Sequence, residues 1–232
     1  MNDLGGAYRE AVGRFDDDAL DRKIRLLGKA GVLAKVAPML ARGLLAMPRF
    51  GSVAGVPLIG RGVRLRGLAH VSAGRALVIE DYAEVQGTSV AGLKFGDRVT
   101  IGSFVQIRPT NYYSGELGVG LEVGDRSSIG PLSFIGCSGL ISIGSDVMLS
   151  PGVKIFAETH VIGDRTVPMK AQGVDRHEIH IGDDCWIASG VIVTSGVSIG
   201  EGSVVGAGAV VTHDIPPFSV AVGNPARVVR TR

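Results

Sequence analysis

A chain of 232 residues with 35 glycines, a formal net charge of +2 and only 5% aromatic residues is poor in the rings that fill an ordinary globular core. That charge supplies no basic field for nucleic acid, and no aromatic-basic surface motif accompanies it. No run of eighteen apolar residues and no basic-then-apolar leader occurs, so the expectation is a cytoplasmic protein with neither a spanning helix nor a secretory signal.

Residues 1–58 read as a helical capping segment. Asp16, Asp17 and Asp18 precede an apolar stripe at helical spacing (Leu26, Leu27, Ala30, Leu33, Ala34, Ala37), predicting one or two helices broken at Gly31 or Pro38. Between residues 19 and 50 there are seven Lys or Arg against a single acid, Asp21. Two readings follow: a cap for an open solenoid end or a neighbouring subunit, and a basic amphipathic helix making peripheral contact with an anionic membrane.

From Ile59 a period of six begins, through Leu65, Val71 and Leu77, then restarts after a slip of two at Ile79 and Val85. Phe95, Ile101 and Ile107 continue it before 108–122 interrupt as a loop. Val123, Ile129 and Ile135 resume, Ile143, Leu149 and Ile155 follow another slip of two, and 158–179 break the period again. The clearest stretch is 181–211, where Ile181, Ile187, Val193, Ile199, Val205 and Val211 fall six apart without a slip. Cys185, Val191, Val197 and Ala209 sit four residues after their leaders.

Neither a helix nor an alternating strand has that period. It predicts short strands joined by tight turns, stacked so that neighbouring coils bury each leader, and about six coils of roughly 18 residues. The repeat therefore spans 59–215 as one body, with 216–232 as a tail. Two long loops in so regular a scaffold point to function. Cys137 and Cys185 occupy small apolar repeat positions and read as buried thiols, not as a disulfide or metal pair.

The second loop carries the chemistry. His160 lies where the strand led by Ile155 gives way to the excursion, anchored on one side and reachable on the other. An imidazole, with an ordinary pKa of about 6.5, suits proton abstraction at neutral pH. Glu158, Asp164 or a backbone carbonyl could orient the ring. His177 and His180 flank the return to the repeat, but their spacing with His160 fits no zinc signature, and no metal is expected.

The hexads and the tail THDIPPFSVAVGNPARVVR resemble the hexapeptide-repeat acyltransferases, and within them the sugar and polysaccharide O-acetyltransferases. The resemblance is sharpest over 142–160 and 180–230. It implies a mainly β fold, a left-handed parallel β-helix, and a homotrimer with sites in clefts between subunits. It implies acetyl-CoA as acyl donor and His160 as the base that deprotonates an acceptor hydroxyl, by direct transfer without a covalent intermediate.

Further assignments follow from the same resemblance. Trp186 matches a position on the acceptor side, and Ser189 one near the reacting groups that we group with the donor site. Gly206, Ala207 and Gly208 match the small residues along which pantetheine runs. Thr212 and His213 stand at a Thr-Lys position that meets the nucleotide end, and Arg227 at a phosphate-binding arginine. Two departures stand out: His213 replaces the usual lysine, and the family's frequent His-x-His is a lone His160. The leading reading is O-acetyl transfer to a sugar hydroxyl of a polysaccharide, lipopolysaccharide or glycan precursor. An amino-sugar N-acyltransferase, a metalloenzyme like the γ-carbonic anhydrases and a silent scaffold remain as alternatives.

Overall fold

The computed structural model describes residues 34–109 and 116–232, and the chain divides into two compact units, Met1–Pro38 and Met39–Arg232. Of the first unit only 34–38 are described, and they are helical. Helical backbone covers 34–46, Pro38 included, so the expected break does not fall at Pro38; Gly31 lies outside the described residues.

In the second unit the backbone winds as a left-handed parallel β-helix with three faces. The first face holds seven strands, from Ser52–Val53 to Ser198–Ile199, and the third holds seven, from Arg64–Arg66 to Val210–Val211. The second starts at Leu58–Ile59 and ends with Ser219–Val222 and Arg227–Thr231, the latter added antiparallel. The solenoid thus makes seven coils instead of about six, because its first coil begins at Ser52, ahead of the first six-spaced aliphatic.

The period of six is the path from one face to the next. On the second face Ile59, Ile79, Ile101, Ile129, Leu149, Ile187 and Val205 pair in one continuous parallel column. None of them is more than 4% exposed. Cys185, Val191, Val197 and Ala209 are buried where the chain enters each strand, and Leu77 belongs with this corner set; Ile79 leads its strand.

The slips of two also have a structural cause. On the first face Gly92–Phe95, Gly120–Val123 and Leu140–Ile143 are four residues long and bury two side chains each, such as Leu121 with Val123 and Ile141 with Ile143. Leu121 therefore pairs with Ile141, twenty positions on, whereas Ile187 pairs with Val205, eighteen positions on. Most coils are longer than the repeat's most regular stretch suggests.

Corners between the first and second faces are tied by side chains. The backbone amides of Arg75, Asp97 and Ser145 donate at 2.7 Å to the carboxylates of Asp97, Asp125 and Asp183, each one coil on. Glycine precedes each donor because the next coil passes too close for a side chain. A Cβ at Gly144 would stand 2.7 Å from the Asp183 nitrogen and overlap its carboxylate. Arg75 forks onto Asp97 and Arg126 onto Asp146, and these hydrogen bonds hold both carboxyls below the usual carboxylate range.

The ends of this unit are closed differently. At the start, Met39, Ala46 and Phe50 are buried, and Arg42 Nε donates to the Ile59 carbonyl at 2.8 Å. This stretch covers the first coil while Leu40, Leu44 and Leu45 stay exposed. At the far end Arg232 donates to the Asp184 carboxylate at 2.8 Å and to the Gly202 carbonyl at 3.0 Å, pinning the last strand. Among the described residues, no helix is long and apolar enough to cross a membrane.

The column sets a clear expectation for stability. Ile187→Ala removes a fully buried side chain between Leu149 and Val205 and should cost about 2–5 kcal/mol in urea unfolding. Ser198→Ala, on an exposed position of the first face, should stay within about 0.5 kcal/mol of wild type. Equal losses for the two would mean that the column is not what holds the coils.

Candidate active site

The two excursions leave the solenoid at the same corner, between the third and first faces. The first follows the strand Gln106–Ile107 and returns at Gly120–Val123; the second follows Lys154–Phe156 and returns at Ile179–Ile181. Between them the chain turns that corner directly through Cys137 and Ser138. The second excursion is not an irregular loop. Glu158–His160 pairs antiparallel with Val174–Arg176, matching Glu158 to Arg176, Thr159 to Asp175 and His160 to Val174.

This hairpin is fastened at both ends. At its root the Ala157 amide donates to the Gly136 carbonyl and the His177 amide to the Ala157 carbonyl. At its tip the Val161 amide reaches the Gly173 carbonyl, and the Gln172 side chain bonds the backbone of Asp164 and Val167. His160 lies between these fastenings with an exposed ring, and among the described residues that ring has no hydrogen bond.

Of the two carboxylates considered as orienting groups, Asp164 is engaged elsewhere. Its Oδ1 accepts from the Thr166 amide at 2.8 Å and the Thr166 hydroxyl at 2.6 Å, which pulls the carboxyl's pKa down. Glu158 is two positions from His160 on the same strand, hence on the same side of the ribbon. Arg176, opposite Glu158, donates through Nη1 to the Leu117 carbonyl at 3.1 Å and lies 3.5 Å from the Glu116 carboxylate. It links the two excursions. Sequence reading missed Arg176; the only signal was a basic residue just ahead of the return to the repeat.

The residues matched to the donor and acceptor sites spread over other parts of the prism. Trp186 stands out from the second face, 46% exposed, with Nε1 donating to the Ser150 hydroxyl at 3.0 Å. Ser189 and Ala207 are exposed at stacked corners between the second and third faces, where the Gly208 amide donates to the Ser189 carbonyl. Nothing lies within 4 Å of a Cβ built on Gly208, so its outer side is open. Gly206 has a different reason to be glycine: its Cβ would come 2.8 Å from Val222 Cγ1.

Thr212, His213 and Arg227 come together at the far end of the coils. The Thr212 hydroxyl is 2.9 Å from His213 Nδ1. His213, Asp214, Ile215, Ala226, Arg227 and Val228 line a hollow of ≈ 300 Å³. Asp214 turns its Oδ1 to the Ser198 amide at 2.7 Å, and His213 and Arg227 are the other polar side chains of this hollow.

Cys137 and Cys185 are buried free thiols, and burial pushes both up from the ordinary thiol range, away from nucleophilic use. His177 is exposed at the hairpin root and His180 on the first face. Among the described residues no three His, Cys, Asp or Glu side chains gather as a metal site.

Comparison with known proteins agrees with this architecture. The family profile described as bacterial transferase hexapeptide (six repeats) matches residues 178–213. A probable acetyltransferase of Mycobacterium tuberculosis is 37% identical over 58% of this chain and 45% of its own length. The galactoside O-acetyltransferase of Escherichia coli is 34% identical over 56% of this chain and 63% of its own length. The matched stretch thus spans about half to three fifths of these relatives. Among solved structures, AntD of Bacillus cereus, an N-acyltransferase, superposes with a TM-score of 0.55 at 19% identity, over 82% of this chain and 88% of that one. Seven parallel coils whose aliphatic columns repeat every six residues, a family profile matching residues 178–213 and relatives that are acetyltransferases by name make this chain similar to the hexapeptide-repeat acyltransferases.

Proposed function

We propose that this protein transfers an acetyl group from acetyl-CoA to a hydroxyl of a sugar, within a polysaccharide, lipopolysaccharide or glycan precursor, with His160 as general base. The observation that carries this reading is the setting of His160. The imidazole is held on a hairpin fastened at root and tip, yet is exposed and free of partners among the described residues. A base for an incoming substrate needs that combination of fixed position and unspent lone pair.

The chemistry is short. His160 takes the proton as the acceptor oxygen attacks the thioester carbonyl, the tetrahedral adduct collapses, and the C–S bond breaks. The imidazolium returns its proton to the departing thiolate, so no covalent enzyme intermediate is needed. The open side of Gly208, with Ser189 and Ala207 beside it, suits the narrow pantetheine arm, while His213 and Arg227 face the hollow where CoA phosphates would be met.

The dispersal of these groups supports a site shared between copies of the chain. Trp186, Ser189 and Gly208 belong to the second face and its corner with the third. His160 leaves from the corner between the third and first faces. A second copy can bring one chain's hairpin to another's donor groove, as in the cytoplasmic homotrimer that belongs to this proposal. Peripheral membrane contact through 19–50 would use residues mostly outside those described. The N-transfer alternative stays coupled to the same test, since a base that deprotonates a hydroxyl also serves an amine; amino sugars therefore belong in the acceptor panel.

Three outcomes check this. His160→Ala should keep the CoA affinity and mass of wild type while kcat falls by roughly 10²–10⁴, followed by thiol release across sugars, amino sugars and glycans. Near wild-type turnover on the acceptor that serves best would remove His160 as the base.

Arg227→Ala should raise the KM for acetyl-CoA about tenfold or more with a smaller effect on kcat, because a nucleotide contact far from the thioester stabilises ground and transition states alike. An unchanged donor KM would separate the ≈ 300 Å³ hollow from the coenzyme.

Light scattering should give a particle of three 24.1 kDa chains. A monomer with full turnover would defeat the shared site.

A further inference from the structure

We propose that Arg176 is a positioning residue for His160, clamping the hairpin that carries the imidazole to the first excursion of the chain. The proposal rests on His160 being the base and adds a residue to which no role has been assigned.

The register of the hairpin is the starting point. Glu158 lies opposite Arg176 and His160 opposite Val174, so these four side chains project from one side of the ribbon, and Thr159 and Asp175 from the other. Burial separates the two sides. Glu158, Val174 and Arg176 are half-buried, whereas Thr159 and Asp175 are exposed. The side bearing the imidazole is therefore the one turned toward protein, and His160 is its exposed member.

Arg176 is what holds that side down. It is 59 residues from Leu117 in sequence, yet Nη1 donates to the Leu117 carbonyl at 3.1 Å. Nη2 lies 3.5 Å from the Glu116 carboxylate. Glu116 is well exposed and the ion pair by itself contributes little. The carbonyl bond is the directional part. The Arg176 Nε is buried and makes no hydrogen bond among the described residues, so the contact with the first excursion runs through the two terminal nitrogens.

The mechanical consequence concerns the imidazole. Without the clamp, the hydrogen bonds that fasten the ribbon among the described residues are those at its root, Ala157 with Gly136 and His177, and those internal to its own tip. The ribbon can then open locally more often, and His160 on it is no longer held in one place. General-base catalysis depends on hydrogen-bond reach, and a misplacement of about 1 Å can cost as much as 10²-fold in rate.

The test uses the full chain with Arg176→Ala, Arg176→Lys and His160→Ala, each checked for wild-type mass and circular dichroism. Amide hydrogen exchange over 158–161 and 173–176 is read beside kcat and both KM values. For Arg176→Ala, exchange in these segments should rise at least about tenfold, because local opening becomes easier. Its kcat should fall roughly 10- to 100-fold with the KM for acetyl-CoA within about twofold. Arg176→Lys can still donate to the Leu117 carbonyl and should recover part of both.

Unchanged exchange in Arg176→Ala would overturn the clamp. Raised exchange with wild-type kcat would overturn its role in catalysis. His160→Ala should lose turnover while keeping wild-type exchange. If that variant turns over normally, the base assignment fails and positioning for catalysis fails with it, and the exchange data then report the clamp's mechanics separately.

Discussion

Each coil of this protein lies on the one before it because an inward aliphatic side chain meets its counterpart one coil away. Ile101, Ile129, Leu149, Ile187 and Val205 make one such column, fully removed from water or nearly so. No coil can bury its own leader, since a single turn of chain encloses too little, so burial is available only through stacking. That requirement fixes the parallel register, and the register in turn decides which residues from distant sequence share a corner.

Corners are where the prism admits variation. Between the first and second faces they are closed tightly, with carboxylates of one coil accepting amides of the previous one and glycine required by the close passage. Between the third and first faces the chain departs twice and returns each time to an intact column, as Ile107 with Ile135 and Ile155 with Val193 show. Loop insertion at a corner leaves the stacked strands untouched, which is why long excursions can be carried there without loss of the core. Both departures use the same corner and are tied together by Arg176.

The groups proposed for the donor and the base stand on different corners of the prism. In the reading proposed above, a second copy alongside would bring these corners together. The exposed outer side of Gly208 and the hollow beside Arg227 lie near the final coils, while the hairpin root is two coils earlier on the third face.

The sequence alone determined the scaffold wherever one residue type must recur. Ile181, Ile187, Val193, Ile199, Val205 and Val211 announced the coils because a narrow core accepts little but an aliphatic at each inward position. The same logic located both excursions, as interruptions of the period, and both buried cysteines, as small residues at corner positions. It misjudged the coil length, since four-residue strands on the first face bury two side chains and look like slips in a six-residue count, and the coil number, since the first coil begins at Ser52, ahead of the first six-spaced aliphatic.

What only the tertiary structure decided depends on pairing between residues far apart in the chain. That 158–179 is a ribbon and not a loose loop follows from register between strands with no periodic signature of their own. That Asp164 Oδ1 bonds Thr166 follows from a local turn that composition does not reveal. Arg176 was invisible because its partner is a backbone carbonyl 59 residues away, and a carbonyl leaves no mark in a sequence.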